Sequence, residues 1–263
     1  MIENSYQIKM LRMDAQLAER KLIVSQSCSR AKIAQGAILF KQAVVEVNGL
    51  EILYEDSAII VCVKPAGVAT QTKQIGQKDM ESMLRTYRMQ KGEPSYIGVV
   101  HRLDQPVSGV MVFAKTKEAA AGLSRQIATK MADKYYYAVT DGVPDKEKGT
   151  LEDYLLRDGK TNLSKVVTGK ENGAKRAELS YEVLAKTETK ALLNIKLATG
   201  RHHQIRVQMA HAGWPLAGDR KYNFKANMKP TNEPMGLCSY KLGFTHPVAK
   251  KKLEYEIPNP FSI

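Results

Sequence analysis

Residues 98–116 read GVVHRLDQPVSGVMVFAKT and constrain the chain more than any other stretch. Two apolar runs, 98–100 and 110–114, flank the polar segment His101-Arg102-Leu103-Asp104-Gln105-Pro106-Val107-Ser108-Gly109. Their length and β-branching predict two buried strands. Pro106 and Gly109 force the segment between them out of regular structure. One carboxylate, Asp104, therefore sits on a loop held at both ends by core strands, a common setting for a catalytic group. His101 and Arg102 make its surroundings cationic, and an arginine favours the ionised acid. Spacing alone leaves two readings open: Asp104 is catalytic, or it caps a turn or pairs with Arg102.

The 263 residues, 43% of them hydrophobic, suffice for one substantial core or two small ones. No run approaches the roughly 18 apolar residues that a membrane helix needs. Charges interrupt every apolar run of the first twenty residues, so no signal peptide is expected there. Cys28, Cys62 and Cys238 are far apart and match no metal or disulfide spacing. They read as reduced core thiols, which suits the cytoplasm. The net charge of +13 points to a polyanionic partner. Residues 201–252 carry ten Lys/Arg against two acids, Asp219 and Glu233, a surplus of eight. No basic amphipathic helix with a broad apolar face lies there, so nucleic acid is expected rather than a membrane.

Residues 14–20 and 29–36 predict helices, and 43–49 predicts a strand closing on Asn48-Gly49. This order resembles an S4-type RNA-binding module, although only Arg30 and Lys32 supply its basic helix. The other reading is a helical layer appended to the body. The expected division is an N-terminal extension, 1–49, and a catalytic domain, 50–263. Within the latter, strands are predicted at 51–54, 57–63, 134–140, 163–168 and 176–187, and helices at 79–90 and 117–130. Apolar residues alternate with polar ones at Ala177, Leu179, Tyr181 and Val183, at Leu193, Ile195 and Leu197, and at Leu253, Tyr255 and Ile257. Such alternation marks strands with one buried face. Adjacent strand pairs with short turns predict a mostly antiparallel α+β fold.

A second dense stretch is Thr199-Gly200-Arg201-His202-His203-Gln204-Ile205-Arg206. Thr199 or Gly200 can cap a helix starting near Arg201. That helix would turn Ile205 and Met209 to the core and set Arg206 on the face of His202 and His203. Metal binding by His202, His203 and His211 is set aside, because no carboxylate or cysteine stands at matching spacing. A solvated basic face is the remaining plain reading.

With these residues in place, the chain resembles RluA-type pseudouridine synthases in four ordered blocks. They are YEDSAIIVCVKPAGV, His101-Arg102-Leu103-Asp104 with Ser108-Gly109, Tyr136 within KYYYA, and TGRHHQIR continuing to Gly213-Trp214-Pro215 and Gly218-Asp219-Arg220-Lys221-Tyr222. The family often has His where this chain has Gln208. The resemblance, over residues 51–256, implies a mixed, mostly antiparallel sheet with flanking helices and a central catalytic cleft. It implies Asp104, Arg206 and Tyr136 as catalytic residues, with Arg206 keeping Asp104 charged and Tyr136 stacking on uracil. Lys64, His101, Arg102, Arg201, His203 and Gln204 are implied as RNA-binding, and Arg102 would enter the duplex where the target base leaves. Ribosomal or transfer RNA is the implied partner, and the protein is expected to act as a monomer.

Pseudouridine formation breaks the bond from uracil N1 to ribose C1′ and rejoins the base through C5. No electrons reach a carrier, so neither cofactor nor metal is expected. The carboxylate would act as nucleophile at C1′ or as the base that gives a glycal. A non-catalytic ribosome-assembly factor on the same fold is the rival expectation. A glycoside hydrolase would need a second acid near Asp104, and none is obvious. Gly159-Lys160-Thr161 is no phosphate loop, since Tyr154 replaces its first glycine.

Overall fold

The computed structural model describes residues 45–47, 49–74, 76–224 and 233–263. The helices expected at 14–20 and 29–36, and with them the S4-like reading, lie outside the described residues. The described strand β1 (Val45–Val47) pairs antiparallel with β2 (Leu50–Glu55), so the sheet already includes part of the expected extension.

The remaining strands are β3 (Ile59–Lys64), β4 (Gly98–Val99), β5 (Ser108–Ala114), β6 (Asp133–Asp141) and β7 (Lys148–Asp158). They continue as β8 (Leu163–Val167), β9 (Lys175–Lys186), β10 (Lys190–Leu197), β11 (Leu237–Thr245) and β12 (Lys252–Glu256). One mixed sheet joins them in the order β1-β2-β3-β5-β11-β6-β10-β9-β7-β8, with β4 beside β5 and β12 beside β11. Every pairing between these strands is antiparallel except β5 with β11, which run parallel over Cys238↔Ser108 and Ser239↔Gly109. This seam joins the two halves of the sheet. The α+β expectation therefore holds.

β3 and β5 read as continuous apolar runs because both their faces are covered. Ile60, Cys62, Met111 and Phe113 pack with Met80 and Leu84 of α1 (Met80–Gln90) and with Ile205 and Met209 of α3 (Gln204–His211). Ile59, Val61, Val110 and Val112 pack on the other side with Ala119 and Leu123 of α2 (Lys117–Ala128). Burying each of the Ile, Val, Leu, Met and Phe side chains among these stabilises the fold by about 1.5–3 kcal/mol. Asp79 caps α1 in a reciprocal box with Ser82, and Thr116 caps α2 through the Ala119 N–H.

Two strands escaped the sequence reading. β7 exposes most of its length, so no apolar alternation betrays it, and it forms a hairpin with β8, the strand expected at 163–168. β11 is buried almost throughout and shows no period. The helix expected near Arg201 begins only at Gln204.

Candidate active site

The 98–116 stretch forms the expected strand–loop–strand, and its loop enters the seam beside β11. Leu103 and Val107 bury their side chains on either side of Asp104 and anchor the loop. The segment after β3 fastens it further. Gly67 N–H donates to the Gln105 carbonyl at 2.9 Å, and Gln105 Nε2 returns a bond to the Gly67 carbonyl at 3.0 Å. Thr70 Oγ1 donates to the Leu103 carbonyl at 2.9 Å and accepts from its N–H at 3.2 Å.

Asp104 keeps 27% of its side chain exposed, while Arg206 keeps 3%. Arg206 Nη1 donates to Asp104 Oδ2 at 2.9 Å. Its Nε and Nη2 donate to the two oxygens of Asp219, each at 2.8 Å. Burial works against the Arg206 charge, but the Asp219 bonds and then those to Asp104 more than offset it and raise its pKa. The guanidinium stays charged and holds a negative partner on each side. Arg102, the local alternative partner of Asp104, donates instead to Gln71 Oε1 at 2.7 Å and is otherwise exposed.

The turn before α3 explains its late start. His203 takes the left-handed conformation at φ 53° and stands as N-cap without a side-chain cap. Gln204 is buried, its Oε1 accepting from Thr199 Oγ1 at 2.8 Å and from Arg201 N–H at 2.9 Å. It organises the turn from inside, whereas sequence reasoning set it at the RNA surface. His202 and His203 stack 3.7 Å apart, with their Nδ1 atoms on Ser164 Oγ and the Tyr222 hydroxyl. Burial holds His203 down at about 4, with Asp104 opposing and Arg206 reinforcing that shift. The 3.6 Å approach of His203 Nε2 to Asp104 is therefore a contact of a neutral imidazole, not an ion pair.

His101 is also neutral at pH 7. Burial, and then the charge of Lys134, lower it to about 4, and its Nε2 accepts the Val112 N–H at 3.1 Å. Lys64 departs most from expectation. Placed at the RNA surface by resemblance, it is fully buried, and its ammonium donates to the carbonyls of Pro65, Val68 and Gln105 at 3.0, 2.6 and 3.0 Å. Burial lowers its pKa to about 8 against the pull of Asp104. Among the expected RNA-binding residues, Arg102 and Arg201 are the exposed ones.

Tyr136 projects from β6 toward the same region and is 7% exposed. Burial raises its phenol well above its ordinary pKa, Ser239 opposes through a hydrogen bond, and Asp104 reinforces, so the phenol is protonated at pH 7. Asp104, Tyr136 and Arg206 all line one cleft of about 650 Å³. Asp104 is its one acidic lining residue, against six Lys/Arg. Two residues of the Gly-Asp-x-x-Tyr motif support Arg206. Asp219 grips Arg206, and the Tyr222 ring lies 5.2 Å from the Arg206 guanidinium carbon.

One carboxylate in a cationic cleft on a mixed sheet is the arrangement of an enzyme that works on a nucleic-acid strand. Residues 58–211 match the family described as RNA pseudouridylate synthase. The chain belongs to that family, in its RluA-type branch, and is an RNA pseudouridine synthase. It is 35% identical over 218 residues to the uncharacterized RNA pseudouridine synthase YhcT of Bacillus subtilis (strain 168), covering 82% of this chain and 70% of that protein. It is 33% identical over 230 residues to ribosomal large subunit pseudouridine synthase D of Neisseria meningitidis serogroup B, covering 84% of this chain but 61% of that protein. With tRNA pseudouridine synthase C of Vibrio parahaemolyticus the identity is 31% over 220 residues, 78% of this chain and 88% of that one. The fold is shared with human RNA pseudouridylate synthase domain containing 1, at a TM-score of 0.67 and 23% identity over 81% of this chain and 84% of that one.

Proposed function

We propose that this protein converts specific uridines of ribosomal or transfer RNA to pseudouridine with Asp104 as the acting carboxylate. The observation that carries this reading is the Asp104–Arg206 pair at 2.9 Å, which sets one partly exposed acid against a guanidinium in a basic cleft. The target base leaves the helix at a cost of a few kcal/mol. Phosphate contacts to the cationic rim offset that cost. Arg102 enters the space the base vacates, and Tyr136 stacks on the uracil. Asp104 attacks C1′ or removes a ribose proton. Either route breaks N1–C1′, forms C5–C1′ and moves the C5 proton to N1, so atoms balance without a carrier. The protein works as a monomer in the cytoplasm; no described helix is long and apolar enough to cross a membrane.

The test is pseudouridine mapping of total RNA by chemical-adduct sequencing. It compares cells carrying wild-type protein, none, and Asp104→Asn. A position modified only with wild type names the substrate and supports the role of Asp104. Full modification by Asp104→Asn overturns that role. RNA binding without any modified position supports the assembly-factor reading instead.

A further inference from the structure

We propose that Lys134 and Arg201 form a phosphate-binding pair that holds the RNA backbone beside the flipped nucleotide. The inference rests on the functional reading above and extends it to how the strand is seated.

Lys134 stands two residues before Tyr136 on β6, so both side chains leave the same face of that strand. Two residues of strand span about 7 Å, the scale of one nucleotide step along an extended backbone. A base stacked on Tyr136 thus brings a neighbouring phosphate to Lys134. The Lys134 ammonium lies over the backbone of Gly200, where a Cβ would stand 3.1 Å from it. A side chain at position 200 would displace it. Arg201 follows directly, its Nε held by the Arg176 carbonyl at 3.0 Å. Arg201 is exposed, and it lines the same cleft as Lys134.

Lys134 has no hydrogen-bond acceptor or carboxylate partner among the described residues. It is half-buried, and burial together with the repulsion of Arg201 lowers its pKa. A neighbouring charge also depresses His101, with Lys134 as its source. The other half-buried lysines among the described residues sit on carboxylates, Lys190 on Glu233 at 2.8 Å and Lys241 on Glu254 at 2.7 Å. Two cations held together without an acid are unfavourable in the free protein. A phosphate between them relieves both the desolvation and the repulsion, and Arg offers it two parallel donors.

The test uses the full chain and a short stem–loop RNA with an all-uridine loop. Affinity is measured across a salt series, with every variant also made in an Asp104→Asn background so that turnover does not interfere. Lys134→Met is expected to weaken binding about threefold to tenfold and to lower the salt slope by about 0.7, the value for one single-strand phosphate. The double variant Lys134→Met/Arg201→Met should lower the slope by about twice that. Lys117→Met, an exposed lysine away from the cleft, should leave the slope unchanged.

Lys134→Met is also expected to raise the melting temperature, because it removes an unpaired half-buried charge. An unchanged affinity and salt slope overturns the proposal, and a lowered melting temperature with intact binding assigns Lys134 a structural role instead. Loss of binding in the variants of a protein that modifies no uridine would overturn the functional reading and leave the phosphate site standing.

Discussion

Asp219 takes two of the three nitrogen donors of Arg206, Nε and Nη2 at 2.8 Å each, and so fixes the plane in which Nη1 reaches Asp104. Asp219 is fully buried and also accepts the Lys221 and Tyr222 N–H groups on Oδ1, at 2.9 and 3.3 Å. Arg206 is thus a rigid arm, not a flexible counter-ion. Asp219→Ala leaves a buried guanidinium with one partner. We expect a stability loss of about 3–5 kcal/mol by denaturant unfolding. We also expect turnover to fall more than RNA affinity, since the arm that orients Asp104 is then loose. Wild-type turnover from Asp219→Ala would show that Asp104 needs no such arm.

The parts of this architecture that were legible are those whose causes are local. Ile59 to Val63 and Val110 to Ala114 announce strands because both faces are buried. The helices expected at 79–90 and 117–130 were legible because helical periodicity is set within a few residues. The Asp104 loop was legible from Pro106 and Gly109. The late start of α3 was not, because it depends on a left-handed His203 and on the Gln204 side chain reaching back into the turn. Nor was the burial of Lys64, whose acceptor on Gln105 lies 41 residues away. Charge predicts solvent, and only the folded loop supplies the carbonyls that overrule it.

Gly109 is where the parallel seam closes. Its φ is +133°, and a Cβ there would lie 2.2 Å from the Ser239 carbonyl oxygen and 2.6 Å from its nitrogen. Those are backbone atoms of the paired strand, so no rotamer relieves the clash. Overpacking of roughly 1–3 kcal/mol and backbone strain of about 1–2 kcal/mol set the scale for Gly109→Ala. We expect a loss of about 2–5 kcal/mol in urea unfolding. Activity should fall with it, because β5 carries the Asp104 loop. A variant as stable as wild type would mean that the seam can part without harm.

Acid should weaken the fold through His101 and His203. Both are held at about 4, chiefly by burial, against an ordinary value near 6.5. Between those values the unfolded chain binds more protons than the folded one, so stability rises with pH across that window. Their contribution is complete above about pH 6.5 and is lost as pH falls through about 4. Each histidine adds up to about 1.4 kcal/mol per pH unit to the slope. His203→Asn, which tolerates the left-handed turn, should flatten the profile measured by denaturant unfolding from pH 7 to 4. An unaltered profile would remove His203 from this account.

Lys64 separates a positioning role from an RNA contact. Its ammonium draws Pro65, Val68 and Gln105 together at the Asp104 loop. The Gln105 carbonyl it holds adjoins Asp104, so losing the ammonium frees one anchor of the loop. Lys64→Met keeps the volume but leaves three carbonyls without this donor, while removing a buried charge, so opposing terms limit the change in stability. Misplacement of the carboxylate by about 1 Å would cost on the order of a hundredfold in rate. We therefore expect single-turnover rates to fall tenfold to a hundredfold, with RNA affinity and its salt slope unchanged. A residue bonded to phosphate gives the opposite split, with weaker binding, a shallower salt slope and a preserved rate at saturation. That second outcome would require the loop to open and release Lys64 when RNA binds.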